Sequence, residues 1–303
     1  GRDQLEHAIV NAEYKADFAF QEEQLGTGHA VMMAESALQG FKGDIIILFG
    51  DTPFISFDIM ESMLEARNAV DPKPDMVVLG FEAKDPGKYG RLMLGGDGNL
   101  ERIIEFKDAS HEERAVNLCN SGMMVVDGSK LFSWLGKLSN NNAAGEYYLT
   151  DLVEEVRKSG GFVTVVKANE TDVMGVNSRA DLALAEQVFQ QKRRCEMMDN
   201  GVTLIDPETV YFASDTKVAT DVIIEPNVFF GPNVSVGKGT CIKANSHLEG
   251  ATIGEGVSVG PFARLRPGAD VDNDAKIGNF VEVKKAKLGK GAKVSHLSYI
   301  GDA

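Results

Sequence analysis

Cysteine is scarce in this 303-residue sequence: Cys119, Cys195 and Cys241 stand far apart and form no CxxC pair. That spacing argues against a disulfide framework or a zinc site and fits reduced, packed thiols. No apolar run approaches the ~18 residues of a membrane span and no signal-peptide pattern opens the chain, so membrane insertion is not expected and a cytoplasmic protein is. Positive charge is also short, 31 Lys and Arg against 45 Asp and Glu, for a formal charge of -14. A surface of that sign repels polyanions, so neither nucleic acid nor an anionic membrane is expected as a partner. Small anionic ligands held by local basic clusters stay compatible with it.

The strongest positive signal is a repeat. From Ile224 onward an aliphatic or aromatic residue recurs about every six positions: Ile224, Phe230, Val236, Ile242, Leu248, Ile253, Val259, Leu265, Val271, Ile277, Val283, Leu288, Val294, Ile300. Two steps are five residues and the rest six. Neither a helix nor a flat strand has that period, whereas a coil of short six-residue strands, each lending one inward side chain to a prism-shaped core, does. Gly231, Gly237, Gly254, Gly260, Gly278, Gly289 and Gly301 directly follow inward residues, as expected if each stands at a tight corner. The pattern predicts a left-handed parallel β-helix of hexapeptide repeats.

The first 177 residues alternate helical and strand patterns instead. Apolar runs over 45–49, 76–80, 123–126 and 162–166 read as buried strands, the first on both faces, with helices over 29–38, 58–69 and 149–158 and a hairpin over 91–94 and 100–106. An α/β domain with a mostly parallel sheet is predicted, its ligands beyond the strand C-termini. Ser178 with Asp181 three residues on marks a helix start, and Asn200-Gly201 its end, giving a linker helix of ~30 Å. The domains read as 1–177, a linker helix at 178–201, and 202–303, where 202–220 connects the helix to the first hexad.

Small residues and a hydroxyl at Gly26-Thr27-Gly28 precede a helix, where backbone N–H groups can approach a base or phosphate, although such a turn is as often plain helix entry. Asp51 stands at the tip of the first apolar strand. A hard cation such as Mg2+ takes one or two protein oxygens and leaves the rest to phosphate and water, so Asp51 is a candidate ligand, with Asn177 a neutral second oxygen. Capping of the next turn and helix entry are the bland alternatives. In the repeat, Arg266 and Lys284 are eighteen residues apart and should stack on neighbouring coils about 4.8 Å apart. Two stacked cations repel, and an anion between them relieves the repulsion; splayed surface charges are the alternative. Gly301 is next in that column, with His296 and Tyr299 close in sequence, and a neutral imidazole there can take a proton from an amine near neutral pH.

The segments QLGTGHA, LFGDTPFIS, GKYGRL, IIEFKDA, NSGMMV, NNNAAGEYYLTD and MGVNSRADL, then GPFARLRPGA and GNFVEVKKAKLGKGAKVSHLSYIGDA, follow one another as in a known family. In order and spacing the chain resembles the bifunctional N-acetylglucosamine-1-phosphate uridyltransferase/glucosamine-1-phosphate acetyltransferases. The resemblance implies a Rossmann-like α/β nucleotide-diphospho-sugar transferase domain joined to an acetyltransferase β-helix. It implies uracil contacts at Gln21, Gly26 and Thr27, a nucleotide-sugar site lined by Phe49, Gly50 and Asp51, and N-acetylglucosamine contacts at Gly90, Glu105 and Asn120 with Tyr147 and Thr150 nearby. Asp51 and Asn177 resemble magnesium ligands. Arg266, Lys284 and Tyr299 resemble glucosamine 1-phosphate contacts and His296 the general base; His7, His29, His111 and His247 match no catalytic position.

Implied with these are UTP, acetyl-CoA, glucosamine 1-phosphate and N-acetylglucosamine 1-phosphate as substrates, Mg2+ as cofactor, and a homotrimer built through the β-helix. The family's amino-terminal strand, glycine-rich loop and phosphate-binding lysine precede the first matched residue, and its later coils follow the last. A segment cut at both ends, with negligible turnover of its own, is therefore expected. Two other readings are a single-function sugar nucleotidyltransferase with a structural β-helix and a non-catalytic trimeric scaffold that binds nucleotide sugars.

Overall fold

The computed structural model divides the chain into two compact units, Gly1–Asn177 and Ser178–Ala303, and describes residues 2–12 and 14–302. The first unit opens with α1 (Arg2–Asn11); Gly1, Glu13 and Ala303 lie outside the described residues. The first unit continues with α2 (Thr27–Met32), β1 (Asp44–Ile47), α3 (Phe57–Asn68), β2 (Met76–Glu82), the hairpin β3 (Arg91–Leu94) and β4 (Leu100–Ile104), and α4 (His111–Arg114). It ends with β5 (Leu118–Asp127), α5 (Leu131–Leu135), α6 (Leu152–Lys158) and β6 (Val163–Ala168).

Apolar residues on both parities of β2 and β5 bury both faces of the sheet. Met76, Val78, Met124 and Val126 meet Leu152 and Val156 of α6 on one side, and Val77, Leu79, Met123 and Val125 meet Met63 of α3 on the other. The sheet is not mostly parallel as expected. β1, β2 and β6 run the same way, but β5 lies between β1 and β2 and pairs antiparallel with both, leaving β2/β6 as the one parallel ladder described. The first apolar run is an edge strand: β1 pairs with β5 alone among the described strands, and Ile45 and Ile47 pack into one core cluster and Ile46 into the other, whereas Leu48, just past β1, is 46% exposed. The helix expected over 29–38 is the six-residue α2 followed by turns.

In the second unit Ser178 Oγ accepts the Asp181 N–H at 3.1 Å and caps α7 (Arg179–Asp199), which stops where Gly201 takes φ 84°. The short strands that follow build three parallel sheets, each strand pairing with the one a full coil away. Face one holds Ile223–Ile224, Cys241–Ile242, Ser258–Val259, Lys276–Asn279 and Lys293–His296; face two Phe229–Phe230, His247–Leu248, Arg264–Leu265, Glu282–Lys284 and Tyr299–Gly301; face three Ser235–Val236, Ala251–Ile253, Ala269–Val271 and Ala286–Leu288. The predicted inward residues from Ile224 to Leu288 are all buried. Each hexad also buries a second, smaller residue two positions earlier, such as Val222, Thr240, Ser246, Ala263 or Ala275, which the single-column reading missed.

The β-helix begins one coil earlier than expected. Thr203–Leu204, Tyr211–Phe212 and Lys217–Val218 already pair with the strands at 223, 229 and 235, so most of 202–220 is a coil rather than a connection. α7 closes that end with side chains. The Gln190 amide donates to the Phe212 carbonyl at 2.8 Å and accepts the Phe212 N–H at 2.9 Å, and Arg194 Nε donates to the Val210 carbonyl at 3.0 Å, replacing the ladder partners an end coil lacks.

The corners differ from expectation as well. Of the seven glycines after inward residues only Gly260 has positive φ; the left-handed residue typically falls three positions after the inward one, at Asn227, Asn233, Asn245, Phe262 and Phe280, or two where the step is five residues, at Gly250 and Lys285. Asparagine tolerates that conformation, whereas Phe262 and Phe280 hold it with their rings stacked at 5.1 Å. The glycines serve close approach instead: a Cβ on Gly278 would collide with the Ser295 carbonyl of the next coil, whereas one on Gly289 would meet nothing within 4 Å. Gly278→Ala is therefore expected to destabilise the β-helix by about 1–3 kcal/mol and Gly289→Ala by less than about 0.5 kcal/mol. Urea midpoints of the two variants, compared with wild type, check this.

Candidate active sites

In the first unit the segment carrying Gln21, Gly26 and Thr27 is stitched to the one carrying Tyr147. Gly28 N donates to the Tyr147 carbonyl at 2.8 Å, Tyr147 N to the Leu25 carbonyl at 2.8 Å, and Leu149 N to Thr27 Oγ1 at 3.1 Å. Gly26 has φ 108°, and a Cβ there would come within 2.7 Å of the Tyr147 carbonyl, so glycine is required by the protein's own backbone. The Gly28 N–H is spent internally, so it is not among the donors this turn can offer a ligand. Gln21 Nε2 lies 3.1 Å from the Gly26 carbonyl and 3.0 Å from His29 Nδ1.

Gly90, Glu105 and Asn120 come together. Asn120 N donates to the Gly90 carbonyl at 2.8 Å, and the position a Gly90 Cβ would take is 3.5 Å from Glu105 Oε1 and 3.6 Å from Asn120 Cβ. Glu105 accepts from Thr150 Oγ1 at 3.1 Å. Burial pushes the Glu105 carboxyl up, against the Thr150 bond and with help from Asp108. Thr27, Glu105 and Tyr148 line one cavity of about 300 Å³, so the Thr27 end and the Glu105 end of the expected nucleotide-sugar site share a space. Asn120 Oδ1 accepts the Gly122 N–H at 3.0 Å, and Gly122, at φ 88°, packs directly against the Phe49 ring, which ties this group to the turn at Gly50 and Asp51.

Asp51 and Asn177 are neighbours. Val176 N donates to the Asp51 carbonyl at 2.8 Å, and Asp51 Oδ2 and Asn177 Nδ2 lie 3.8 and 3.3 Å from the position of a Gly175 Cβ. Among the described residues no three His, Cys, Asp or Glu side chains converge as a metal cage. One exposed carboxylate beside one amide is nonetheless the donor set suited to Mg2+, which keeps water and substrate phosphate for its other positions.

Sequence reasoning passed over two residues here. Arg91, in GKYGRL, is 2% exposed and its guanidinium donates to the carbonyls of Tyr89, Gly87 (3.1 Å) and Arg114 (3.2 Å), fixing the loop that ends at Gly90. Its inward place in the hairpin strand was the available signal. Asp151 follows Thr150; burial, then Glu154, Glu105 and Asp108, push its carboxyl up to about 6. A carboxyl raised in the folded state adds stability below its ordinary value of 3.8 and loses it as pH rises to about 6. Asp151→Asn should thus stabilise the protein at pH 7.5 by about 1 kcal/mol, allowing for solvent screening of a half-exposed group, and give no gain at pH 4. Urea midpoints at the two pH values measure it.

In the second unit face two carries the basic column. Its ladder sets Arg264 opposite Glu282 and Lys284 opposite Gly301, so Arg266 and Lys284 occupy adjacent coils with Gly301 next, as the spacing predicts. They are not bare cations awaiting an anion. Arg266 Nη1 pairs with Glu282 Oε1 at 2.8 Å and Lys284 Nζ with Asp302 Oδ2 at 3.8 Å, which offsets the expected repulsion. Tyr299 is the ladder partner of Glu282, is 58% exposed, and folds its ring over Gly301 beside Lys284. His296 is exposed on face one, opposite Asn279, and is separated from Tyr299 by the corner at Leu297 (φ 47°). The ladder thus groups Arg266, Lys284 and Tyr299, with His296 across the corner.

An α/β sheet domain is thus followed along the chain by a β-helix of three parallel sheets. Residues 3–171 match the nucleotidyl transferase family and residues 250–285 the bacterial transferase hexapeptide repeats. The chain is 55% identical over 289 residues to the bifunctional protein GlmU of Ruegeria sp. (strain TM1040), covering 95% of this chain and 63% of that protein. Over its full length it is 49% identical to the bifunctional protein GlmU of Roseobacter denitrificans and 48% to that of Zymomonas mobilis, covering 66% and 67% of those proteins. The chain belongs to the nucleotidyl transferase family and, within it, to the bifunctional GlmU proteins. It spans 63% to 67% of the length of these relatives.

Proposed function

We propose that the protein carrying this chain makes UDP-N-acetylglucosamine in two steps, one in each unit. The observation that carries the reading is the joining of both groups of matched residues, Gly90, Glu105, Asn120 and Thr150 in one unit and Arg266, Lys284 and Tyr299 in the other, on a chain related throughout to bifunctional proteins.

In the acetyl step Arg266, Lys284 and Tyr299 hold glucosamine 1-phosphate. His296 takes a proton from its amine as the nitrogen attacks the acetyl-CoA thioester carbonyl; the C–S bond breaks and coenzyme A leaves. In the uridyl step an N-acetylglucosamine 1-phosphate oxygen attacks the α-phosphorus of UTP, and the bond to the β-phosphate oxygen breaks to release pyrophosphate. Such a displacement needs positioning more than a nucleophilic side chain. Gln21, Gly26 and Thr27 seat the uracil, and Gly90, Glu105 and Asn120 seat the sugar. Asp51 and Asn177 would hold Mg2+, which when bound neutralises phosphate charge.

Domain roles follow: 1–177 uridyl transfer, 178–201 a connecting helix, 202–303 acetyl transfer. The β-helix fits a homotrimer, and since no helix among the described residues is long and apolar enough to cross a membrane, a cytoplasmic enzyme fits as well. Incubation of the full-length protein with glucosamine 1-phosphate, acetyl-CoA, UTP and Mg2+ should yield UDP-N-acetylglucosamine, with no product when acetyl-CoA is omitted. Uridyl transfer without acetyl transfer in the full-length protein would instead favour a structural β-helix.

A further inference from the structure

The Gln21 amide is held in one orientation by two groups that differ in what they can do. The Gly26 carbonyl only accepts, so the Gln21 atom 3.1 Å from it is the NH2 nitrogen. That nitrogen also lies 3.0 Å from His29 Nδ1, which must then be the accepting nitrogen of its ring, with the proton on Nε2. Both amide hydrogens are thereby used and Oε1 is the side that remains to meet a ligand. The half-buried His29 ring is itself backed by Tyr147, 6.2 Å away between ring centroids, on the segment that is stitched to this turn.

We propose that His29 is a positioning residue that sets base specificity: by accepting from Gln21 Nε2 it turns Oε1 toward the base, which selects uracil over cytosine. Uracil presents an N3–H that an amide oxygen accepts, whereas cytosine presents an N3 lone pair that Oε1 repels. A flipped amide reverses the preference. With His29 removed, one amide hydrogen loses its acceptor, the Gly26 carbonyl alone no longer clamps the group, and cytosine gains access. The inference rests on the reading of Gln21 as a base contact.

The test is the ratio of kcat/KM for UTP to that for CTP, with N-acetylglucosamine 1-phosphate as acceptor, in the full-length protein. His29→Ala should lower the ratio about threefold to tenfold, the worth of one neutral hydrogen bond. His29→Asn, whose Oδ1 can accept where Nδ1 did, should hold it within about twofold of wild type. A merely structural role for His29 would reduce turnover of both nucleotides and leave the ratio unmoved, which overturns the proposal. So does His29→Asn falling as far as His29→Ala. Gln21→Ala separates the two layers: if it lowers the ratio while His29→Ala does not, the base contact stands without its positioning residue. If Gln21→Ala leaves the ratio unchanged, the base contact fails too.

Discussion

Asp51→Ala is expected to lower uridyl transfer by about 10^3-fold, the effect of several kcal/mol of lost charge stabilisation, while acetyl transfer by the same preparation stays near wild type. Asp51 supplies the one carboxylate of the candidate metal pair, and its side chain is exposed, so truncation leaves no buried group unpaired. What ties Asp51 into the fold is its backbone carbonyl, which accepts from Val176 N and survives the substitution. Asn177→Ala should cost less, because it removes a neutral oxygen and leaves the charge. Both residues belong to the first compact unit and the basic column to the second. Parallel assays of both half-reactions on one sample decide the matter: equal loss of both, in a protein of unchanged far-UV circular dichroism, would sink the assignment of two separate sites.

The β-helix was legible in the sequence because a repeat of one coil imposes one rule on every coil. The inward column from Ile224 to Leu288 is where the period places it, and Arg266, Lys284 and Gly301 stack as eighteen- and seventeen-residue spacings require. The first coil was not legible, since Leu204 and Phe212 are eight apart around the short helical turn Pro207–Thr209. Its closing partners, Gln190 and Arg194, look like ordinary polar positions on a helix until their carbonyl and N–H partners are known. Local pattern also could not show that β5 would enter between β1 and β2. Strand direction depends on which distant segments pair, and an apolar run carries the same signature in either direction.

The candidate sites divide along the same line. The family resemblance pointed to Gly90, Glu105 and Asn120, which three different segments bring together. Single-residue chemistry misjudged charge, because a column of cations says nothing about which carboxylates will face it. Glu282 sits in the same ladder and Asp302 just past its last strand, and they pair with Arg266 and Lys284. A phosphate arriving at this column must therefore compete with two existing pairs. Both are partly exposed and correspondingly weak, so the competition is one that a doubly charged ligand can win.

His296→Ala is expected to lower acetyl transfer by 10²–10⁴-fold, the usual contribution of a positioned base, and to spare uridyl transfer. The side chain is exposed and its ladder pairing with Asn279 is through the backbone, so the β-helix should fold without the imidazole. The reaction needs the amine of glucosamine 1-phosphate unprotonated, and with no base on the protein the solvent must remove that proton. Raising the pH should then recover part of the loss in the variant, and more of it than wild type gains over the same range. Steady-state rates of coenzyme A release across pH 6.5 to pH 9 read this out, with glucosamine 1-phosphate saturating. Tyr299→Phe supplies the contrast: Tyr299 stands beside the basic column across the Leu297 corner, and loss of a binding contact there should raise KM without creating a new pH dependence. Acetyl transfer at the wild-type rate by His296→Ala at neutral pH would show that the base lies elsewhere.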